Sequence, residues 1–229
     1  MALHFSSLLE ILLFPGQAFH ELKEKTEALD GMTMAVILFI VSMILIVAVS
    51  SLFNPKSFKA VEIIKELTID IVFVMIFTVL VGVIAAKIAI KFFNGKSQSS
   101  KNISVSGYSQ AVFLSITILV LAIQSILSIL TLKPFPKTIT SLFSASGLAG
   151  VLFLFILIIG VLWWLYVHGT GISKMNEIGL FNGLFISVVS TITGFALTFL
   201  LLSLTSKILL LFIPFEVIGK AFSSILFII

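Results

Sequence analysis

The sequence contains no cysteine and no arginine, and only 10% of its 229 residues are charged. The lack of cysteine excludes disulfides, thiolate nucleophiles and cysteine-ligated metal sites. Nucleic-acid and phosphate clamps usually use arginine for bidentate contacts, and every basic residue here is lysine. Ordinary soluble domains are about 25% charged, so this chain has too few charges to cover a folded surface in water. These deficits exclude a soluble enzyme and a nucleic-acid-binding protein.

Hydrophobic residues make up 59% of the chain, and the net charge is +4. A helix needs about 20 mainly apolar residues to span a membrane, and five segments meet that length. Their apolar residues run on without the alternation of a lipid-facing β-barrel. The sequence therefore predicts an all-α fold, a polytopic transmembrane bundle of about five spans. These are residues 32–53, 70–90, 109–132, 148–167 and 180–206.

Amphipathic segments flank the predicted bundle. At the amino terminus, residues 3–14 form a leucine-rich face, Pro15 and Gly16 break it, and residues 17–29 predict a second helix. After Pro214 a similar face follows, so an interfacial helix is expected at each end, with a re-entrant segment as the alternative for the tail. We expect one domain over 1–229, divided into a flank at 1–31, a five-span bundle at 32–206 and a tail at 207–229.

The most hydrophilic connection runs from Lys87 to Gly107, and its Gly-Lys-Ser-Gln-Ser-Ser sequence predicts a mobile loop. Two explanations of its lysines stay open. They contact anionic lipid or an acidic partner surface, or they lie in a solvated loop that sets topology. The lysines of the whole chain divide equally between the two sides, so the positive-inside rule does not decide, although this dense loop favours a cytoplasmic amino terminus. The four residues concerned are Lys87, Lys91, Lys96 and Lys101.

Polar side chains near or within the spans are candidates for a polar pathway, since such groups are costly in lipid. Asp70 and Lys87 bracket the second span, where boundary anchoring is the alternative role. Gln124 lies deep in the third span, and its alternative role is an interhelical hydrogen bond. His168 follows Trp164 at the end of the fourth span, where an aromatic belt at the membrane boundary is the simpler interpretation.

No residues form a recognisable catalytic or metal-binding pattern. The sequence has no HExxH and no G-x-S-x-G motif, and no His or carboxylate spacing suits a metal. Intramembrane proteolysis would need a Ser–His pair or two aspartates within the membrane, and the linear sequence offers only Asp70 at a boundary. We therefore expect no enzymatic activity, no catalytic residues and no cofactor.

Small residues recur every four positions on entry to the fifth span. Such spacing lets helix backbones approach closely, either inside the bundle or between copies of the chain. The sequence therefore predicts helix packing through Gly179, Gly183, Ser187, Thr191 and Gly194.

Four short segments resemble the Yip family, the Ypt/Rab-interacting-protein-type integral membrane domain. Leu13–Lys23 resembles its Pro-x-x-Ala-Phe-type segment before the first span, and Ala89–Gly95 resembles the end of its second span. Gly107–Ala111 is similar to the Tyr-Ser-x-Ala start of the third span, and Leu162–Tyr166 is similar to the end of the fourth. Five spans is also the family's number.

The resemblance implies a prokaryotic-type member with a cytoplasmic amino terminus and a carboxy terminus on the opposite side of the cell membrane. Eukaryotic members act in vesicle traffic and membrane shaping and associate with prenylated Rab GTPases. The long hydrophilic amino-terminal region of many eukaryotic members is missing here, so Rab binding is not carried over. The leading hypothesis is a non-enzymatic protein that organises membrane or recruits partners. A small transporter or channel is the alternative. The expected partners are the bilayer, anionic lipids, and a second copy or another membrane protein.

Overall fold

The computed structural model describes residues 7–53, 60–96, 98–131 and 148–209. Within these ranges the regular structure is helical, with no strand. Helices of the described residues are, in chain order, α1 Ser7–Leu13, α2 Pro15–Leu22, α3 Ala28–Phe53, α4 Ala60–Phe93, α5 Ser99–Ser109, α6 Ala111–Thr131, α7 Leu148–Asn176 and α8 Leu180–Leu209. The predicted all-α fold is confirmed.

Five helical segments of the described residues are long and apolar enough to cross a membrane, which confirms the predicted number of spans. They share a mean hydropathy high enough for hydrocarbon and few charges, which is why the sequence pattern located them. The segments are Ala28–Val49, Ile71–Phe93, Ser99–Ile123, Leu154–Asn176 and Leu180–Leu201.

Span boundaries differ most in the middle of the chain. The third span begins at Ser99 rather than at Ser109, and the fourth continues to Asn176 instead of ending at Val167. The connection between the second and third spans is shorter than the sequence predicts. There α4 extends to Phe93 and α5 begins at Ser99. The polar side chains of α5 bond to carbonyls one turn back and to other helices, so the helix tolerates burial.

The polar helix α5 lies against α3, α4 and α7. Every residue of α5 from Asn102 to Ser109 is buried. Glycine makes this possible, because a Cβ built on Gly107 would lie 1.9 Å from the carbonyl oxygen of Gly31 in α3. On α4, a Cβ at Gly82 would lie 2.6 Å from the Ile103 Cα. Close backbone approach therefore holds α5 between its neighbours.

One end of the bundle, here called the proximal end, gathers residues 22–31, 93–101 and 176–180. These are the start of α3, the end of α4, the start of α5, the end of α7 and the start of α8. The Lys96 backbone N–H donates to the Asn176 carbonyl at 3.1 Å. Ser104 donates to the Glu27 carbonyl. The candidate functional residues lie at the proximal end or within a few helical turns of it.

The amino-terminal helices α1 and α2 pack on the bundle, α1 against α2, α5 and α6 and α2 along α7. The predicted break at Pro15 is present, and Pro15 itself opens α2, where its missing N–H is not needed. The second helix ends at Leu22 rather than continuing to Leu29. Ile11 and Phe19 are completely buried, and α2 lies along α7. The flank is therefore part of the folded bundle. The predicted tail helix after Pro214 lies outside the described residues.

Candidate functional site

A buried polar cluster occupies the proximal half of the bundle between α5, α7 and α8. Asn102 and Asn176 face each other and exchange side-chain amide hydrogen bonds of 3.0 and 2.8 Å. The Asn176 amide also donates to the Ile172 carbonyl at 2.6 Å, and the Asn102 amide donates to the Gln98 carbonyl at 3.0 Å. Both asparagines are completely buried. The reciprocal pair satisfies amide groups that would otherwise be costly in an apolar bundle.

His168 lies deeper in the same cluster, with a hydroxyl group on each ring nitrogen. Its Nε2 is 3.0 Å from the Ser106 Oγ, and its Nδ1 is 2.9 Å from the Ser187 Oγ. Each serine also reaches a backbone carbonyl: Ser106 donates to Asn102 at 3.0 Å, and Ser187 to Leu165 at 3.2 Å. Either serine can therefore donate to the imidazole or accept from it, so both neutral tautomers are accommodated.

The prediction that His168 lies in an interfacial aromatic belt is wrong. His168 is fully buried, and its ring stacks on the buried Trp164 ring at 4.8 Å between centroids. Trp163 and Tyr166, by contrast, point outward with roughly 40% of each side chain exposed, and their rings lie 5.3 Å apart. The span continues two turns past His168, because Ile172 and Met175 carry the buried face onward.

This cluster contains the Ser–His pair that the linear sequence did not reveal. Ser106 and His168 are 62 positions apart, so no spacing rule could connect them. Both side chains are enclosed, and the third residue on the imidazole is another serine rather than a carboxylate. A Ser–His nucleophile needs an accessible hydroxyl and an oriented base. The arrangement can organise hydrogen bonds between three helices, and nothing in its geometry admits a substrate to Ser106.

Lysines and glutamates join three segments at the proximal end. Glu177, in the turn between α7 and α8, accepts from Lys23 at 2.6 Å and pairs with Lys96 at 3.0 Å. The Lys23 hydrogen bond, followed by that of Lys96, lowers the pKa of Glu177 from 4.5 to about 2. We call these three residues the Glu177 clamp. A second, longer pair of 3.8 Å joins Lys101 to Glu24.

The four lysines predicted to contact lipid or a partner thus divide into two pairs. Lys96 and Lys101 face carboxylates of the protein. Lys87 and Lys91 are exposed on the last turns of α4, and the Lys91 Nζ lies 5.6 Å from the centroid of the Phe92 ring. Among the described residues, neither Lys87 nor Lys91 contacts a carboxylate. These two lysines of the set therefore face outward.

The small-residue row of α8 meets neighbouring helices unevenly. A Cβ at Gly183 would lie 2.3 Å from the Gly169 carbonyl oxygen of α7, and one at Gly194 would lie 2.5 Å from Val81 of α4. Ser187 contacts His168, and Thr191 donates to the Ser187 carbonyl at 2.6 Å. Gly179 lies in open space, with its nearest neighbour at 4.0 Å from a built Cβ. Close packing of α8 against its neighbours therefore begins at Gly183, one helical turn after Gly179.

Two members of the predicted polar pathway cannot be placed. Asp70 lies on the backbone of α4 and Gln124 on that of α6, and both side chains lie outside the described residues. Among the described residues, no group of three His, Cys, Asp or Glu side chains is placed to hold a metal ion.

Sequence reasoning missed Asn102, Ser106 and Asn176 as members of a buried cluster. One feature could have found them. Residues 99–109 are rich in serine and glycine, the same small-residue property that was used for α8. Low hydropathy predicts exposure, although hydroxyl groups can also donate to carbonyls within their own helix and so tolerate burial. Tertiary contacts, and not composition, decide whether such a segment is exposed or buried.

Comparison with known proteins agrees with this architecture. The Yip1 domain model matches residues 9–205, which includes all four segments behind the resemblance drawn above. A search of curated proteins and a search of solved structures each returned no match. The matched region contains the five apolar helices and most of the chain. This multi-pass helical membrane protein therefore belongs to the Yip1 domain family.

Proposed function

We propose that this protein is a non-enzymatic membrane organiser that loads one leaflet through its amino-terminal helices and recruits partners at its proximal end. The single observation that carries the proposal is that the amino-terminal helices bury one side against the bundle and expose apolar residues on the other. Ile11, Phe19 and Leu22 are buried against the bundle. The outer side leaves Leu9, Leu13 and Phe14 with 67, 59 and 64% of their surface exposed. Apolar side chains at the end of a bundle find their favourable contacts in the boundary layer of the bilayer.

The proximal end carries further exposed aromatic residues. Phe92 at the end of α4 is 66% exposed, and Phe181 at the start of α8 is 83% exposed. We propose that the exposed α1 side chains lie in the same leaflet and add apolar volume there together with these aromatic residues. Lys87 and Lys91 beside Phe92 would then contact headgroups, anionic ones included. Extra volume in one leaflet favours curvature, and the same surface suits recruitment of a second membrane protein or a second copy.

The experiment reconstitutes the full chain into vesicles of defined lipid composition and measures vesicle diameter and tubulation by electron cryomicroscopy. We expect wild-type protein to produce smaller or tubulated vesicles. Changing Leu9, Leu13 and Phe14 together to serine should abolish the effect. A matched control changes three exposed polar residues of the same helices, Glu10, Gln17 and His20, to serine. Undeformed vesicles with wild-type protein, or equal deformation by the triple apolar variant, would refute the proposal.

Transport is a second candidate, favoured by the polar cluster itself. A file of hydrogen-bonded groups leads from Asn102 through Ser106 and His168 to Ser187. Such a file could relay protons over the proximal half of the bundle. Proton flux into vesicles that is lost in Ser106→Ala would favour transport over the organiser. Absence of flux from folded wild-type protein would remove this candidate.

The proposed orientation places the amino terminus in the cytoplasm and the carboxy terminus on the opposite side of the cell membrane. The chain has no cysteine, so single introduced cysteines report topology without background. In intact cells, an impermeant maleimide should label Thr131→Cys at the end of α6 and should not label Lys25→Cys. In permeabilised cells, both introduced cysteines should be labelled. The reverse pattern would invert the proposed orientation.

A further inference from the structure

A polar cleft opens at the proximal end, apart from the histidine cluster and the Glu177 clamp. It encloses about 540 Å³ between the α2–α3 connection and the start of α5. That volume lies within the roughly 300–1,000 Å³ of small-molecule sites. The residues that line the cleft are Glu24, Thr26, Glu27, Ala28, Leu29, Gln98, Ser100 and Lys101.

The cleft lies at the level where two of the apolar spans begin. The first apolar span begins at Ala28 and the third at Ser99, and both positions belong to or adjoin the cleft wall. Leu29 is 58% exposed at its edge. A ligand in the cleft therefore has polar surroundings on one side and access to the hydrocarbon boundary on the other.

Its charges are of both signs, with an excess of carboxylate. Glu24 is 80% exposed, and its partner Lys101 is 3.8 Å away, near the limit of an ion pair. Glu27 is exposed and uses only its backbone in the contacts to Asp30 and Ser104. Beside them, the buried Asp30 has one oxygen, Oδ1, with no hydrogen-bond partner among the described residues. Two accessible carboxylates thus face one ammonium group and the neutral donors of Gln98 and Ser100.

We propose that this cleft binds a headgroup that carries a primary ammonium and a phosphate, as in a phosphoethanolamine lipid. The ammonium donates to the carboxylates of Glu24 and Glu27, and the phosphate accepts from Lys101, Gln98 and Ser100. Leu29 contacts the glycerol and the first acyl carbons. A trimethylammonium headgroup has no N–H to donate to the carboxylates. A purely anionic headgroup would be repelled by them.

The test measures which lipids stay bound to the full-length protein. Wild-type chain is exchanged into mixed micelles that contain equal amounts of phosphatidylethanolamine, phosphatidylcholine and phosphatidylglycerol, and retained lipids are counted by native mass spectrometry. We expect phosphatidylethanolamine to be retained over phosphatidylcholine by about fivefold, the scale of one or two partly exposed charged hydrogen bonds. Equal retention of the two lipids would overturn the proposal.

Variants then assign the preference to this cleft. Changing Glu24 and Glu27 together to glutamine should remove the preference for the primary ammonium, and Lys101→Gln should weaken retention of both zwitterionic lipids alike. Glu27→Lys should shift retention toward phosphatidylglycerol. Glu10→Gln and Lys25→Gln are matched controls for one exposed charge outside the cleft. An unchanged lipid ratio in the double glutamate variant, with folding confirmed by a thermal melt, would refute the assignment.

A further experiment distinguishes a site for the diacyl lipid from a site that also binds the free headgroup. Free phosphoethanolamine is titrated against retained phosphatidylethanolamine. Displacement supports a headgroup site that also accepts the soluble molecule, whereas retention at saturating phosphoethanolamine supports a site for the diacyl lipid. Vesicle deformation is measured independently of lipid retention. A protein without lipid preference could still deform vesicles, and a protein that does not deform vesicles could still retain phosphatidylethanolamine, so the two proposals fail separately.

Discussion

At the scale of single residues, the bundle is governed by where buried polar atoms find partners. Asn102 and Asn176 satisfy each other, and His168 is satisfied by two serines. Within hydrocarbon there is no water to replace a missing partner, so a buried polar group gains most from a bond inside the protein. The apolar composition of the spans therefore makes these few polar contacts decisive for the arrangement of α5, α7 and α8.

The asparagine pair gives the sharpest residue-scale prediction. Asn102→Ala should lower the free energy of unfolding by about 1–3 kcal/mol, because it leaves buried amide atoms of Asn176 without their partner. In a double-mutant cycle with Asn176→Ala, the coupling should be about 0.6–1.7 kcal/mol, the range of interhelical hydrogen bonds in membranes. Unfolding in detergent, followed by circular dichroism, measures both quantities.

Ser115→Ala is the matched control, because the Ser115 hydroxyl bonds within its own helix as far as the described residues go, donating to the Ala111 carbonyl at 3.0 Å. It should change stability by less than about 0.5 kcal/mol. Additive effects of the two asparagine substitutions would contradict a direct pair.

At the scale of helices, α5 shows how a polar segment becomes an interior one. Its serine hydroxyls bond one turn back, and its glycine lets α3 approach to backbone contact. Loss of water around the helix is offset because nearly every polar group already has an intrahelical or interhelical partner. Packing of α5 therefore depends more on small side chains than on hydrophobic ones.

Glycine substitutions test this directly. A methyl group at Gly107 would collide with the Gly31 carbonyl, so Gly107→Ala should force α5 and α3 apart and destabilise the protein by about 1–3 kcal/mol or more. Gly179→Ala adds the same methyl group in open space and should change stability by less than about 0.5 kcal/mol. Thermal melts of the purified variants provide the comparison. Equal melting temperatures for the two variants would contradict the close helix crossing.

At the scale of the whole molecule, the Glu177 clamp joins parts that are far apart in sequence. Lys23 follows α2, Lys96 precedes α5, and Glu177 sits between α7 and α8. Exposed ion pairs contribute little individually, but here one carboxylate holds two lysines from different segments. The clamp therefore couples the amino-terminal helices to the rest of the proximal end.

Its pH dependence has a definite sign. The folded pKa of Glu177 is lowered to about 2 from 4.5, so the ionised carboxylate favours the folded state. This stabilisation is fully present above about pH 4.5 and is lost progressively as the pH falls toward 2. The difference in melting temperature between wild type and Glu177→Gln should be constant from pH 5 to 7 and shrink below that range. High salt should shrink it as well.

Glu10→Gln is the matched control, because it removes one exposed carboxylate elsewhere in the amino-terminal helices. A wild-type advantage that persists undiminished at pH 2, or that is missing at pH 7, would contradict the clamp.

Composition and span length alone predict a membrane protein of about five helical spans, and four short segments carry the resemblance to the Yip family. Hydrophobic composition and span length are local properties, and hydrocarbon admits few alternatives to a helix. The positions of Pro15 and of the exposed lysines of α4 were also readable, because each depends only on nearby residues.

Which polar residues lie in the interior depends on how the helices pack. The hydrophilic stretch 99–107 predicts a loop by composition, yet α5 is buried because glycines and hydroxyls of distant helices meet it. His168 was expected at the boundary, and its partners Ser106 and Ser187 come from other helices. The cleft between Glu24 and Lys101 likewise joins two segments separated along the chain. Contacts of this kind depend on helix packing, which short-range sequence patterns do not encode.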